Sequence, residues 1–335
     1  MSKKSNIPNK SLLTILVLIV VLMTVLNPQR FPTISNVVSM AYQLPILAFL
    51  SLAMMMAMLS GGINLAIVST ANFVGIITAL TLNGLTGGES ASAGIGIVIL
   101  AMLTGVAAGM AVGAVNGFMV AYLDIPSILT TLGMMTLLDG INIVMTKGYT
   151  ITGFPQSLIV IGNGGILGIP VPFLLLIIAV FLLSVLLRRT AFGFSLYMLG
   201  ANYTASSFSN IDNRSIIMRE YLLSALFSAL TAFVMMGQLN SVKANYAESF
   251  LLVAVLACFL GGTDPFGGVG TVWGMVISVA ILQVISTGVN LLRMDPFFIR
   301  SMWGMIIIIV IAVNHFSDRY RERQRLRELR AGGTT

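Results

Sequence analysis

The chain has 335 residues, of which 57% are hydrophobic and 9% charged, with a formal net charge of +7. A soluble domain carries about 25% charged residues, so a water-soluble globule is excluded and a single polytopic membrane domain is the simplest reading. The positive charge does not mark a nucleic-acid binder, because 13 of the 18 Lys and Arg fall in three clusters beside apolar runs. These are Lys3, Lys4 and Lys10; Arg188, Arg189, Arg214 and Arg219; and the tail from Arg319 to Arg330.

A bilayer core takes about 20 apolar residues per helix. Ten spans are predicted on that ruler, at 11–27, 37–59, 63–82, 94–121, 127–146, 171–187, 216–240, 249–262, 271–291 and 298–316. No small-residue cleavage site follows the first run, so it is predicted to stay as a span. The fourth carries Gly105, Gly109 and Gly113 at four-residue spacing, a face suited to close helix packing. The stretch GNGGILGIPVP at 162–172 lacks the Gly-Lys-Ser/Thr ending of a phosphate loop and reads as an outer turn. The eighth span is short enough to be a broken or re-entrant element. Short outer loops are expected around Lys147, around Arg293, and at 240–249 with Lys243 and Glu248.

With ten spans both termini and all three basic clusters lie in the cytoplasm, as the positive-inside rule asks. The expectation is therefore an all-α, multi-pass membrane protein. Residues 1–335 form one transmembrane domain, with a polar insertion at 188–220 and a basic tail at 317–335. The tail is charged enough to touch anionic lipid headgroups, or serves as a plain topological anchor.

The single cysteine, Cys258, lies in an apolar run and makes no intrachain disulfide. His315, the single histidine, ends the last span. The 21 Met are read as packing side chains, since metal transfer would want His or Cys partners. Neither a nucleotide-binding motif nor a set of catalytic residues is found, so no enzyme activity, cofactor or metal is expected.

Three Gly-rich interruptions break the apolar sequence: Ser60–Ser69 (SGGINLAIVS), Val115–Gly133 (VNGFMVAYLDIPSILTTLG) and Leu260–Thr271 (LGGTDPFGGVGT). Irregular backbone at membrane depth survives only where protein or a water-filled cavity covers it. Paired breaks also point to the working parts of transporters. Gly61, Gly62, Asn64, Asn72, Gly261, Gly262 and Asn290 are accordingly the candidate pathway or gating residues. Gln43, Asp139, Asn142, Gln238, Asn240 and Gln283 are further polar residues within the spans. Amides and hydroxyls with few charges suit a neutral, hydroxyl-rich solute.

These elements, together with GANYTASSFSNI at 200–211 and Gly288-Val289-Asn290-Leu291, resemble in order and spacing the permease subunits of bacterial ABC importers for ribose, related monosaccharides and autoinducer-2. The resemblance runs from about residue 35 to 315. It departs from the family pattern at Asn64, where Asp is usual, at Ala66, where Ser is usual, and at Asp139, where Arg is common. The resemblance implies a type II-like importer fold in the bacterial inner membrane and alternating access driven by separate cytoplasmic ABC ATPase subunits. It also implies a periplasmic or lipid-anchored substrate-binding protein, and a second permease subunit, identical or different. The polar insertion then becomes a coupling helix for the ATPase, with Gly200, Asn202, Ala205, Ser209 and Ile211 as its candidate residues. Asn202 or Thr204 is expected to cap a short helix over 205–210.

Two other classes stay open on the residues alone. An ion-coupled secondary transporter would need a buried ionisable group, for which Asp139 and Asp264 are the candidates. An intramembrane enzyme would need paired acidic or histidine residues within the spans.

Overall fold

The computed structural model describes residues 9–295 and scattered positions between 298 and 312. Twelve α-helices make up almost all of it. In chain order they are α1 Asn9–Leu26, α2 Ile34–Leu59, α3 Ile67–Thr86, α4 Ile95–Tyr122, α5 Ser127–Thr146 and α6 Gln156–Asn163, then α7 Val171–Arg189, α8 Ala191–Ala201, α9 Tyr203–Phe208, α10 Asn213–Leu239, α11 Phe250–Leu260 and α12 Val272–Leu291. Among the described residues, seven helices are long and apolar enough to cross a membrane, with α1, α8 and α11 as shorter apolar helices. Nine of the ten predicted spans thus have a helix. The tenth, 298–316, is described only in part and is helical over 301–306, while His315 lies outside the described residues.

The interior is built around α2. From Pro45 to Leu59 every one of its side chains is buried, the mark of a helix that is apolar all round. Helices α7, α10, α11 and α12 pack about it, while α4, α5 and the far side of α7 turn Leu103, Leu137 and Phe181 outward. The Gly face of α4 does what its spacing predicts. A Cβ at Gly109 would meet Val74 of α3 at 2.7 Å, and one at Gly113 would meet the Tyr221 carbonyl of α10 at 2.8 Å. Backbones approach this closely only where small residues face each other.

The polar insertion is more ordered than a loop. It folds into α8 and α9, and α10 begins at Asn213, three residues before the predicted span. Thr190 caps α8 through the Gly193 N–H, and Asp212 caps α10 through the Ser215 N–H. At the opposite end of the bundle, α6 and the hairpin of β2 (Gly165–Ile166) with β3 (Ile169–Pro170) form the stretch read as an outer turn. There β1 (Ile151–Thr152) pairs antiparallel with β4 (Ser241–Val242).

Residues 243–249, expected in a short outer loop, depart from that reading. Ala244 is buried, and Asn72 of α3 donates through Nδ2 to the carbonyls of Ala244 at 2.9 Å and Tyr246 at 3.0 Å. The physical reason is the shortness of α11. Eleven residues rise about 16 Å, half a bilayer core, so the irregular chain before it must make up the rest of the crossing.

Candidate functional site

Three segments converge at the α8–α9 end of the bundle: the break after α2, the end of α8, and the loop between α11 and α12. The Gly268 N–H donates to the Leu59 carbonyl at 2.9 Å, joining the two breaks directly. Gly200, in the last turn of α8, sits between them. A Cβ there would collide with the Leu59 carbonyl and the Gly268 nitrogen. Gly267 has φ +90° and lies so close that a Cβ would meet Gly200 Cα and Gly61 N, each at 2.8 Å. Only glycine accepts both that backbone and that contact. Tyr197 of α8 adds a polar tie, donating from its hydroxyl to the Gly270 carbonyl at 2.8 Å. Burial raises this phenol above the usual tyrosine range, with Arg188 pulling it partly back, so the hydroxyl keeps its proton at physiological pH.

The two breaks share one construction. After α2, Gly61 N–H bonds the Met58 carbonyl and Gly62 N–H the Ala57 carbonyl; after α11, Gly262 N–H bonds Phe259 and Thr263 N–H bonds Cys258. In both, a glycine of positive φ, Gly61 or Gly262, follows the last helical residues, the arrangement that satisfies orphan helix carbonyls. Each break then turns on a side chain that accepts from the N–H two residues on: Asn64 Oδ1 from Ala66 and Asp264 Oδ1 from Phe266. The two breaks share this construction but not its register, since the positive-φ glycine is the first of Gly61-Gly62 and the second of Gly261-Gly262.

The first break is further held by hydroxyls of α5. Ser127 Oγ accepts from the Ile63 N–H at 3.2 Å. Thr131 Oγ1 accepts from the Leu65 N–H at 3.1 Å and donates to the Ile63 carbonyl at 3.0 Å. Asn64 is buried, and its Nδ2 donates to Ser224 Oγ of α10 at 2.9 Å. Beside it, Ser60 Oγ donates to Glu220 Oε1 at 2.7 Å, while the second carboxyl oxygen of the fully buried Glu220 has no hydrogen-bond partner. Glu220 was hidden in the sequence because it stands where the polar insertion runs into a span. Ser127 and Thr131 lay inside a motif but carried no signal of their own.

Of the remaining predicted residues, those of the polar insertion and the second break lie beside this junction, and Asn290 does not. Asn202 caps α9, its Oδ1 accepting from the Ala205 N–H at 3.0 Å; of the two candidate caps it is the one used. Ala205 is exposed, Ser209 closes the helix by donating to the Ala205 carbonyl at 2.9 Å, and Ile211 packs half-buried on the main core. Asn213 locks α9 onto α10: its Oδ1 accepts from Ser206 Oγ at 2.8 Å and its Nδ2 donates to the Tyr203 carbonyl at 3.1 Å. The helix thereby presents Tyr203 and Phe208 outward, Phe208 with 89% of its surface exposed. Gly262 completes the second break, and Gly261 packs on α12, where a Cβ would meet Met275 Cα at 2.7 Å. Asn72 tethers the irregular chain before α11, as above. Asn290 stands apart, exposed at the far end of α12, fifteen residues or about 22 Å beyond Met275. Of the two acids named for ion coupling, Asp264 turns the second break and Asp139 accepts from Ser69 Oγ at 2.6 Å.

Comparison with known proteins fits this arrangement. A family model described as branched-chain amino acid transport system / permease component matches residues 36–313. The chain is 32% identical to the ribose import permease protein RbsC of Bacillus subtilis (strain 168), over 89% of this chain and 90% of that one. It is 28% identical to the D-allose transport system permease protein AlsC of Escherichia coli (strain K12), over 91% of each. The L-arabinose transport system permease protein AraH of Escherichia coli (strain K12) is 24% identical, over 88% of this chain and 85% of its own. No solved structure matches. The family match takes in both breaks, α8, α9 and every helix from α3 to α12, and the chain belongs to the branched-chain amino acid transport system permease family.

Proposed function

We propose that this chain is the membrane-spanning subunit of an ATP-driven importer for a monosaccharide, moved by a separate ATPase that grips α8 and α9. The observation that carries this reading is the glycine junction. A push on α9 reaches α8 through the Asn202 turn, and Gly200 at the end of α8 rests on backbone from both broken spans. A ligand-driven shift acts only through a differential contact, and rigid backbone-on-backbone packing supplies one. The exposed pair Tyr203 and Phe208 offers the aromatic anchors that dominate binding at interfaces. Relatives over about nine-tenths of the chain are named as permeases for ribose and D-allose, which supports a sugar as the cargo.

In this reading the α8–α9 end faces the cytoplasm, with both termini on that side and the basic residues Arg188, Arg189, Arg214 and Arg219 around the docking helix. The opposite face, with α6, the β2–β3 hairpin and Lys147, receives a substrate-binding protein. A second permease subunit completes the passage. The test is assembly. The chain is expected to co-purify with its ATPase, and Ala205→Arg is expected to abolish that by placing a long charged side chain on the exposed face of α9. An ATPase that still binds the Ala205→Arg chain at wild-type strength contradicts the assignment of α9.

A further inference from the structure

The broken eighth span places polar groups at one depth in the membrane. Cys258 Sγ of α11 donates to the Ser51 carbonyl of α2 at 3.3 Å. Both helices run towards the junction, where their terminal loops are joined by the Gly268–Leu59 bond. At 1.5 Å per residue, Phe250 and Gln43 each lie about 12 Å back from the Cys258–Ser51 bond, so the start of α11 is level with Gln43. Gln43 in turn lies about 5 Å from the midpoint of the 26-residue α2. Across from it, Gln283 of α12 donates to Gln43 Oε1 at 3.1 Å and to Thr287 Oγ1 at 3.2 Å. Gln43, Asn245 and Glu248 are exposed.

An ionised acid at such a depth costs about 2.5–3.5 kcal/mol against lipid. Irregular backbone there must also be covered by protein or line water. A water-filled passage would meet both conditions for the exposed Glu248 and the irregular chain around it. We propose that Gln43, Gln283, Thr287, Asn245 and Glu248 line a binding site for a hydroxyl-rich solute where the passage meets the broken span. The carboxylate accepts from two neighbouring hydroxyls, and the amides both donate and accept. This site rests on the permease reading above and adds to it where the cargo is held and which side chains select it.

Thiol labelling of the complete complex in membranes tests the site without knowing the cargo. Cys258, buried and the single native thiol, sets the background. Gln43→Cys and Glu248→Cys are expected to react with a membrane-impermeant methanethiosulfonate, whereas Leu103→Cys on the outward face of α4 is not. D-ribose or D-allose is expected to slow labelling at position 248, and Glu248→Ala to lower uptake about tenfold, the loss of one charged hydrogen bond. Complex assembly is expected to persist. A thiol at 248 as inert as one at 103 overturns the site, even with wild-type uptake intact. Labelling with no protection, in a complex that takes up the added sugar, overturns the ligand. A wild-type complex that takes up no monosaccharide overturns the functional reading and the ligand with it, while labelling still decides the passage.

Discussion

At Gly200 the neighbouring backbone leaves no volume for a side chain, so Gly200→Val must push α8 away from Leu59 and Gly268. Overpacking of this kind costs about 1–3 kcal/mol. The expected result is a lower melting temperature in detergent and loss of uptake, with the exposed α9 surface still able to hold the ATPase. Ser60→Ala probes the same junction differently. It removes the one partner of Glu220 Oε1, next to an oxygen that already lacks one, and is expected to cost about 1–3 kcal/mol of stability. Thermal unfolding of the two variants against wild type measures both. The glycines were legible in the sequence because a Gly doublet inside an apolar run is itself a signal. Glu220 and Ser60 were not, since their pairing joins positions 160 residues apart.

Among the elements, α9 shows how a six-residue helix becomes a rigid handle. Asn202 caps it, and the buried Asn213 holds it from the first turn of α10. Asn213→Ala is expected to leave ATPase binding within about threefold but to lower the uptake obtained per ATP hydrolysed, because the helix can then yield when pushed. Phe208→Ala is expected to weaken binding instead, by about 2 kcal/mol, the scale of a buried aromatic anchor. A titration of the permease with purified ATPase separates the two. The long spans were legible from length and hydropathy alone, and the irregular stretches from their glycines. The depth of residues 243–249 was not, because Lys243 and Glu248 look like loop residues until Asn72 is seen holding the carbonyls between them. Helices α6 and α8 were missed for a related reason: a short helix at the edge of a bundle leaves no bilayer-length run to count.

Taken whole, the molecule is a buried shaft, α2, with two broken spans that meet at one end on the helix pair α8–α9. This connectivity lets force applied at one surface reach both irregular segments without passing through side-chain packing alone. It also explains why the sequence could point to the polar insertion and to the breaks but not to the contact between them, which exists only in three dimensions. In the proposed function the chain is moved from α9 by another protein's ATP hydrolysis. The most direct test is uptake of D-ribose or D-allose into proteoliposomes. Accumulation is predicted only when the ATPase, the binding protein and ATP are all supplied, and is predicted to vanish with Ala205→Arg. Accumulation by the chain alone, driven by a proton or sodium gradient, would contradict it.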